Sequence, residues 1–205
     1  MPGSPVPDPT KITFVVALLE RGHKHLDSQQ FLDAKECFLQ ALGEANAMGI
    51  SSASVHWSLA VALDYGGEVD LAYEHASKAV ELDPFAGPFR RSLTVIERRI
   101  FAFLGDRDRP DEHDLVPRVY GALLARSAAT LEAHVAMVRH LVAIGGAGSA
   151  LGKAEALVSR FPGRPEAWAV KAHVLRHQGD EVGAAEAESQ AATLKAATGK
   201  GTLIA

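Results

Sequence analysis

The sequence predicts an all-α chain, an array of about five antiparallel helical hairpins with little or no strand. Three observations carry this. A small residue is followed after eleven residues by Ala and after six more by Ala, three times over: Gly22–Ala34–Ala41, Ala60–Ala72–Ala79 and Ala172–Ala184–Ala191. Recurrence of one spacing signals a stack of repeated units. Helix start and stop signals alternate along the chain at hairpin intervals. Alanine is abundant, Val, Ile and aromatics are modest, and no run of alternating β-branched residues occurs.

The elements follow in order. Pro9-Thr10 opens a first helix that reaches about Leu26 and is broken by Asp27-Ser28. A second runs from about Gln30 to Ala47 and stops at Gly49. Ser51 or Ser52 caps a third, which ends at Gly66-Gly67. Glu68 to Leu82 follows and closes at Asp83-Pro84, because a residue before proline is pushed out of the α region. Phe85 to Leu104 reads as one long helix carrying Arg90, Arg91, Arg98 and Arg99. The charged segment 105–111 is the only plausible linker. Glu112 to Ser127 resumes helix, with Pro117 tolerated in the first turn or as a kink. Thr130 caps a helix to about Ile144, Gly145 to Gly148 is a flexible turn, and a short helix spans about Ala150 to Phe161. Pro162-Gly163-Arg164-Pro165 turns the chain into Glu166–His177, and Gly179-Asp180 joins that helix to Glu181–Lys195. The expected organisation is a disordered leader over 1–10, with four prolines, one continuous array over 11–197, irregular around 105–130, and a flexible tail over 198–205.

The composition narrows the function classes. At 205 residues and 47% hydrophobic, the chain is long enough to bury a substantial core. A formal charge of −4 lacks the basic excess of a nucleic-acid-binding domain. The longest apolar run, Ile12 to Leu19, is too short to span a bilayer, and the proline-rich N-terminus has no basic region of a signal peptide. Cys37 is the only cysteine, so no intrachain disulfide forms, and a reducing cytoplasm fits. Within Lys35-Glu36-Cys37-Phe38 it reads as a small helix residue rather than a reactive thiol.

A single hairpin of this size cannot bury its own apolar face and needs a neighbour on each side. Where helices cross closely, only Gly or Ala lets the backbones approach. That is the need met by Gly22, Ala60 and Ala172 on first helices and by the alanine pairs on second helices. Leu18, Phe38, Leu59, Leu63, Trp168 and Leu175 fill the space beside them. On these residues the chain resembles the tetratricopeptide repeat family, as a small bacterial-type member. The clearest stretch is Trp57 to Pro84, with Gly67-Glu68-Val69-Asp70-Leu71-Ala72 at the turn and Ala79-Val80-Glu81-Leu82-Asp83-Pro84 at the exit. Trp168 to Leu194 and residues 14–46 follow, while 87–128 and 131–161 fit as degenerate hairpins, the second helix of the latter shortened. Second-helix alanines are unevenly spaced on this reading: 72 − 34 is 38, and 184 − 154 is 30. The resemblance implies a right-handed superhelical solenoid.

It also implies a site. In this family the first helix of each pair lines the concave groove, which assigns Leu19, His23, Trp57, Val61, Arg91, Val95, Arg98, Arg139, His173 and Arg176 to partner contact. Such a groove is apolar at its N-terminal end and basic at its C-terminal end, suited to carboxylate-bearing peptides because Arg binds carboxylates bidentately. The Lys and Asn residues of the chaperone-tail-binding members are absent, with Leu19, His23 and Ser58 in their places.

Chemistry finds little support. Gly145 to Lys153 looks like a phosphate loop, but Ala147 stands at the required first glycine and Ala154 where Ser or Thr binds magnesium. His173 and His177 share a helix face, yet no Cys or carboxylate completes a metal site. No nucleophile–base constellation is apparent. The expectation is therefore no catalytic residue, no metal and no cofactor. The chain is read as a non-enzymatic adaptor or scaffold that binds an acidic or amphipathic segment or helix of another protein, with self-association possible. The alternatives are a dedicated chaperone for an unfolded or secreted client and, behind it, an accessory subunit of an enzyme.

Overall fold

The computed structural model describes residues 8–104, 114–126 and 128–200. Among them are ten helices and no strand: α1 Pro9–Asp27, α2 Phe31–Ala47, α3 Ala53–Tyr65, α4 Val69–Leu82, α5 Gly87–Leu104, α6 Leu115–Ala125, α7 Leu131–Ala143, α8 Ala147–Arg160, α9 Pro165–His177 and α10 Glu181–Lys200. The all-α, hairpin-repeat class read from the sequence is the observed one. The chain divides into two compact units between Arg99 and Ile100, inside α5. The charged segment 105–111 lies outside the described residues, as do residues 1–7 of the expected leader and 201–205 of the expected tail. Helix α1 opens at Pro9, capped by Asp8, whose Oδ1 accepts from the Thr10 N–H at 2.9 Å, and α10 continues to Lys200.

In the first unit α1 packs on α2, α3 on α4, and α2 on α3. The alanine-and-glycine stripe works as close packing requires. A Cβ built at Gly22 would overlap the Phe38 ring, so glycine is what admits that ring against α1. Phe38, Ala34, Ala41, Ala60, Ala72 and Ala79 are fully buried. Leu18, Ala41 and Val55 form one core cluster, drawn from α1, α2 and α3. In the second unit α7, α8 and α9 share a core of Leu131, Val138, Val142, Ala150, Ala154, Leu157, Ala167, Val170 and Val174. Ala172, Leu175, Ala184 and Ala187 lock α9 to α10. Trp168, expected as core filling, is only half-buried and donates from Nε1 to the Pro162 carbonyl at 2.9 Å.

Four hairpin turns share one construction. Each contains a residue with positive φ: Gln29 at 58°, Gly67 at 83°, Gly145 at 80° and Gly179 at 81°. The next N–H reaches back five residues, Gln30 to His25, Glu68 to Leu63, Gly146 to Leu141 and Asp180 to Leu175, at 2.8–3.0 Å. Five residues beyond the turn residue stands a fully buried alanine: Ala34, Ala72, Ala150 and Ala184.

That register corrects the reading of the third of these hairpins. The equivalent alanine is Ala150, not Ala154, and the spacing to the next is 184 − 150, or 34. Helix α8 is not shortened: it has 14 residues, as α4 has. The glycines misled, because Gly146 is the N-cap of α8 and Gly148 lies in its first turn rather than in a flexible loop. The segment that resembled a phosphate loop is this ordinary hairpin turn. The helix expected over Glu112 to Ser127 is the shorter α6, entered through Asp114 at φ 49°, with Pro117 in its first turn, where a missing N–H costs least.

Candidate protein-interaction surfaces

In the first unit, three side-chain hydrogen bonds tie the odd-numbered helices to one another. His23 Nε2 on α1 lies 3.0 Å from Ser58 Oγ on α3. Trp57 Nε1 on α3 donates to Ser92 Oγ on α5 at 2.9 Å. Arg99 on α5 donates to Asp64 Oδ2 on α3 at 2.7 Å. Each joins residues 35 apart, so the same step relates each helix to the next. Ring contacts run along the same row. The His23 ring sits 5.2 Å from Phe38 and 6.4 Å from Trp57, and Trp57 sits 5.6 Å from Phe89. Near the α3–α4 turn, Tyr65 stacks on Phe31 at 5.3 Å, and the Arg99 guanidinium lies 5.8 Å from the Tyr65 ring centre.

The predicted contacts on this unit fall into two groups. Leu19, His23, Trp57 and Val61 are half-buried on α1 and α3, and the structure brings His23 and Trp57 together. Arg91, Val95 and Arg98 are exposed on α5, at positions that share one helix face. Among the described residues neither Arg91 nor Arg98 has an acidic partner. Ser92 and Phe89 were missed, although a 35-residue step from Trp57 lands on Ser92.

The other three predicted contacts belong to the second unit. Arg139 is half-buried on α7. His173 meets His177 edge-on at 4.8 Å on α9. Arg176 donates to Glu188 Oε1 on α10 at 2.6 Å, and Glu181 lies 4.0 Å away. The hydrogen bond to Glu188 raises the Arg176 pKa above its ordinary value. Arg176 thus serves the α9–α10 hairpin.

Two clusters had no sequence signal. In the first unit His56 Nδ1 and His75 Nδ1 lie 2.9 Å apart, joining α3 to α4. Burial lowers both imidazole pKa values, and for His56 the charges of His75 and Lys78 add to it. In the second unit Tyr120, His134, Val138, Lys153, Ala156, Leu157 and Arg160 line a cavity of about 170 Å³ between α6, α7 and α8. There the Tyr120 hydroxyl is 2.8 Å from His134 Nδ1, and Arg160 reaches His134 Nε2 at 3.4 Å. The Lys153 ammonium sits 5.8 Å from the Tyr120 ring centre. Burial first, then Arg160 and Lys153, lowers the His134 pKa, and burial raises that of Tyr120.

Among the described residues no group of three or more His, Cys, Asp or Glu is placed to hold a metal ion, and no helix is long and apolar enough to cross a membrane. Cys37 is buried and accepts from Arg21 Nε at 3.1 Å.

Solved structures share this architecture. The chain superposes on one crystal structure of MamA protein with a TM-score of 0.58 at 16% identity, covering 94% of this chain and 97% of that one. For MamA of MSR-1 the values are 0.55 and 15%, over 90% and 98%. For MamA 41-end from Desulfovibrio magneticus RS-1 they are 0.53 and 12%, over 89% and 96%. At such identities the likeness is one of fold. No curated protein matches the sequence. The Tetratricopeptide repeat family pattern matches residues 19–87 and 135–199. Those two stretches span more than half of the chain and contain the turn, the alanine register and the helix pairs described above, and the chain belongs to the tetratricopeptide repeat family.

Proposed function

We propose that the chain is a non-enzymatic adaptor of the cytoplasm, holding a segment or helix of another protein against the α1–α3–α5 face of its first unit. The carrying observation is the row of 35-residue hydrogen bonds, which fixes His23 and Trp57 before any partner arrives. Side chains already ordered lose little entropy on binding, so their contact area converts more fully into affinity. Trp57, between His23 and Phe89, is the aromatic anchor, flanked by Leu19 and Val61. Arg91 and Arg98, with Val95 between them, select a segment that carries carboxylates. In the second unit Arg139, His173 and Arg176 are further contacts, of which Arg176 must first yield its hydrogen bond to Glu188.

The test is affinity capture from native lysate, read by mass spectrometry, with the wild type beside R91E/R98E. Both arginines are exposed, so the variant keeps its fold. A partner retained by the wild type and weakened about tenfold or more in the variant is the expected result, since a charge-assisted contact is worth ~1.5–3 kcal/mol. Equal retention removes the arginines from the site.

A further inference from the structure

The polar side chains that line the cavity between α6, α7 and α8 are Tyr120, His134, Lys153 and Arg160, all of them able to donate hydrogen bonds. Arginine has no acceptor, so the Arg160 contact uses the bare lone pair of His134 Nε2. A neutral imidazole then carries its proton on Nδ1 and donates it to the Tyr120 oxygen. The Tyr120 O–H is left to point elsewhere. Burial and the two neighbouring cations hold His134 in the neutral form that this arrangement needs. Lys153 and Arg160 line this space as cations, and among the described residues neither has a carboxylate partner. Arg160 is steadied by the Phe161 ring, 5.3 Å from its guanidinium carbon. Val138, Ala156 and Leu157 close the rest of the lining with apolar surface.

The geometry points to this cavity as a carboxylate-binding subsite, taking one Asp or Glu side chain from a bound protein segment. A volume of about 170 Å³ suits a single side chain and falls short of the ~300 Å³ or more of a small-molecule pocket. The apolar wall meets the methylenes of Glu while the donors converge on its oxygens. The inference rests on the chain being a protein-binding module, but it uses none of the α1–α3–α5 face. Its test needs no partner.

Protein labelled with ¹⁵N-histidine is titrated with N-acetyl-glutamate methylamide, its glutamine counterpart and inorganic phosphate, while the His134 imidazole signals are followed. The glutamate probe is expected to move those signals saturably and the glutamine probe to leave them in place. R160Q and K153Q, both at exposed side chains, should each weaken the response about tenfold, the worth of one charge-assisted hydrogen bond. Y120F keeps the ring packing and removes only the hydroxyl, so its expected weakening does not depend on refolding. Equal response to glutamine, no saturable response to glutamate, or unchanged binding in all three variants each overturns the subsite. Saturation by phosphate alone also overturns it and assigns a free-anion site. A negative result leaves the capture experiment with R91E/R98E intact, and loss of the arginine face leaves this titration intact.

Discussion

Gln29 holds a backbone conformation that its three counterparts assign to glycine. A side chain at positive φ crowds the following carbonyl and costs ~1–2 kcal/mol, a cost glycine does not carry. Gln29→Gly is therefore expected to stabilise the protein by about 0.5–1 kcal/mol, net of glycine's greater unfolded-state entropy, and Gly67→Ala to destabilise it by a similar amount. Urea unfolding of both variants decides this, since a neutral Gln29→Gly would mean that the turn relaxes. Gly22 is constrained differently. Its φ is not positive, and the constraint is the Phe38 ring itself. Gly22→Ala should cost about 1–3 kcal/mol through overpacking, and adding Phe38→Leu should recover part of it. Two independent, additive losses in that cycle would show that the ring is not what excludes the methyl group.

Between elements, the α3–α4 hairpin carries a pH dependence whose sign is fixed by His56 and His75. Burial lowers both pKa values from the ordinary 6.5, so below that pH the unfolded chain binds more protons than the folded one. Their contribution to stability is fully present above pH 6.5 and is lost as the pH falls through the window beneath it. His134 adds in the same direction. Denaturant midpoints should decline as the pH drops below 6.5 in the wild type and decline less steeply in H56Q/H75Q, where His134 remains. A wild-type profile that is flat there would show that the folded pair takes up protons as readily as the unfolded chain does, so that burial does not lower the two pKa values. At this scale the sequence was legible wherever packing left one choice. Ala34, Ala72 and Ala184 were found because close backbone approach admits nothing larger. Ala150 was missed because Gly146 and Gly148 suggest a loop, and only the hydrogen bond from Gly146 to Leu141 shows the turn ending where α8 begins. The row His23–Ser58, Trp57–Ser92 and Asp64–Arg99 was hidden for another reason. Its step is constant while its chemistry changes at each rung, so no residue type repeats. Tyr120, His134, Lys153 and Arg160 come from three helices with no common spacing, and only the fold brings them together.

For the whole molecule the question is whether an acidic partner answers to local arginines or to the overall field. The net charge of −4 opposes an acidic segment at long range, yet at physiological salt the Debye length is about 8 Å, so distant charges are screened and contacts are not. Replacing two arginines by glutamate in R91E/R98E moves the net charge by −4, from −4 to −8. Replacing two exposed lysines in K11E/K195E gives the same −8 and leaves both arginines in place. If recognition is by contact, R91E/R98E loses the captured partner about tenfold while K11E/K195E binds as the wild type does in ~0.15 M salt. Lowering the salt should then weaken K11E/K195E modestly, as long-range repulsion re-emerges. Equal loss in both variants would mean that the field governs binding and that the α5 arginines matter only as part of the total charge.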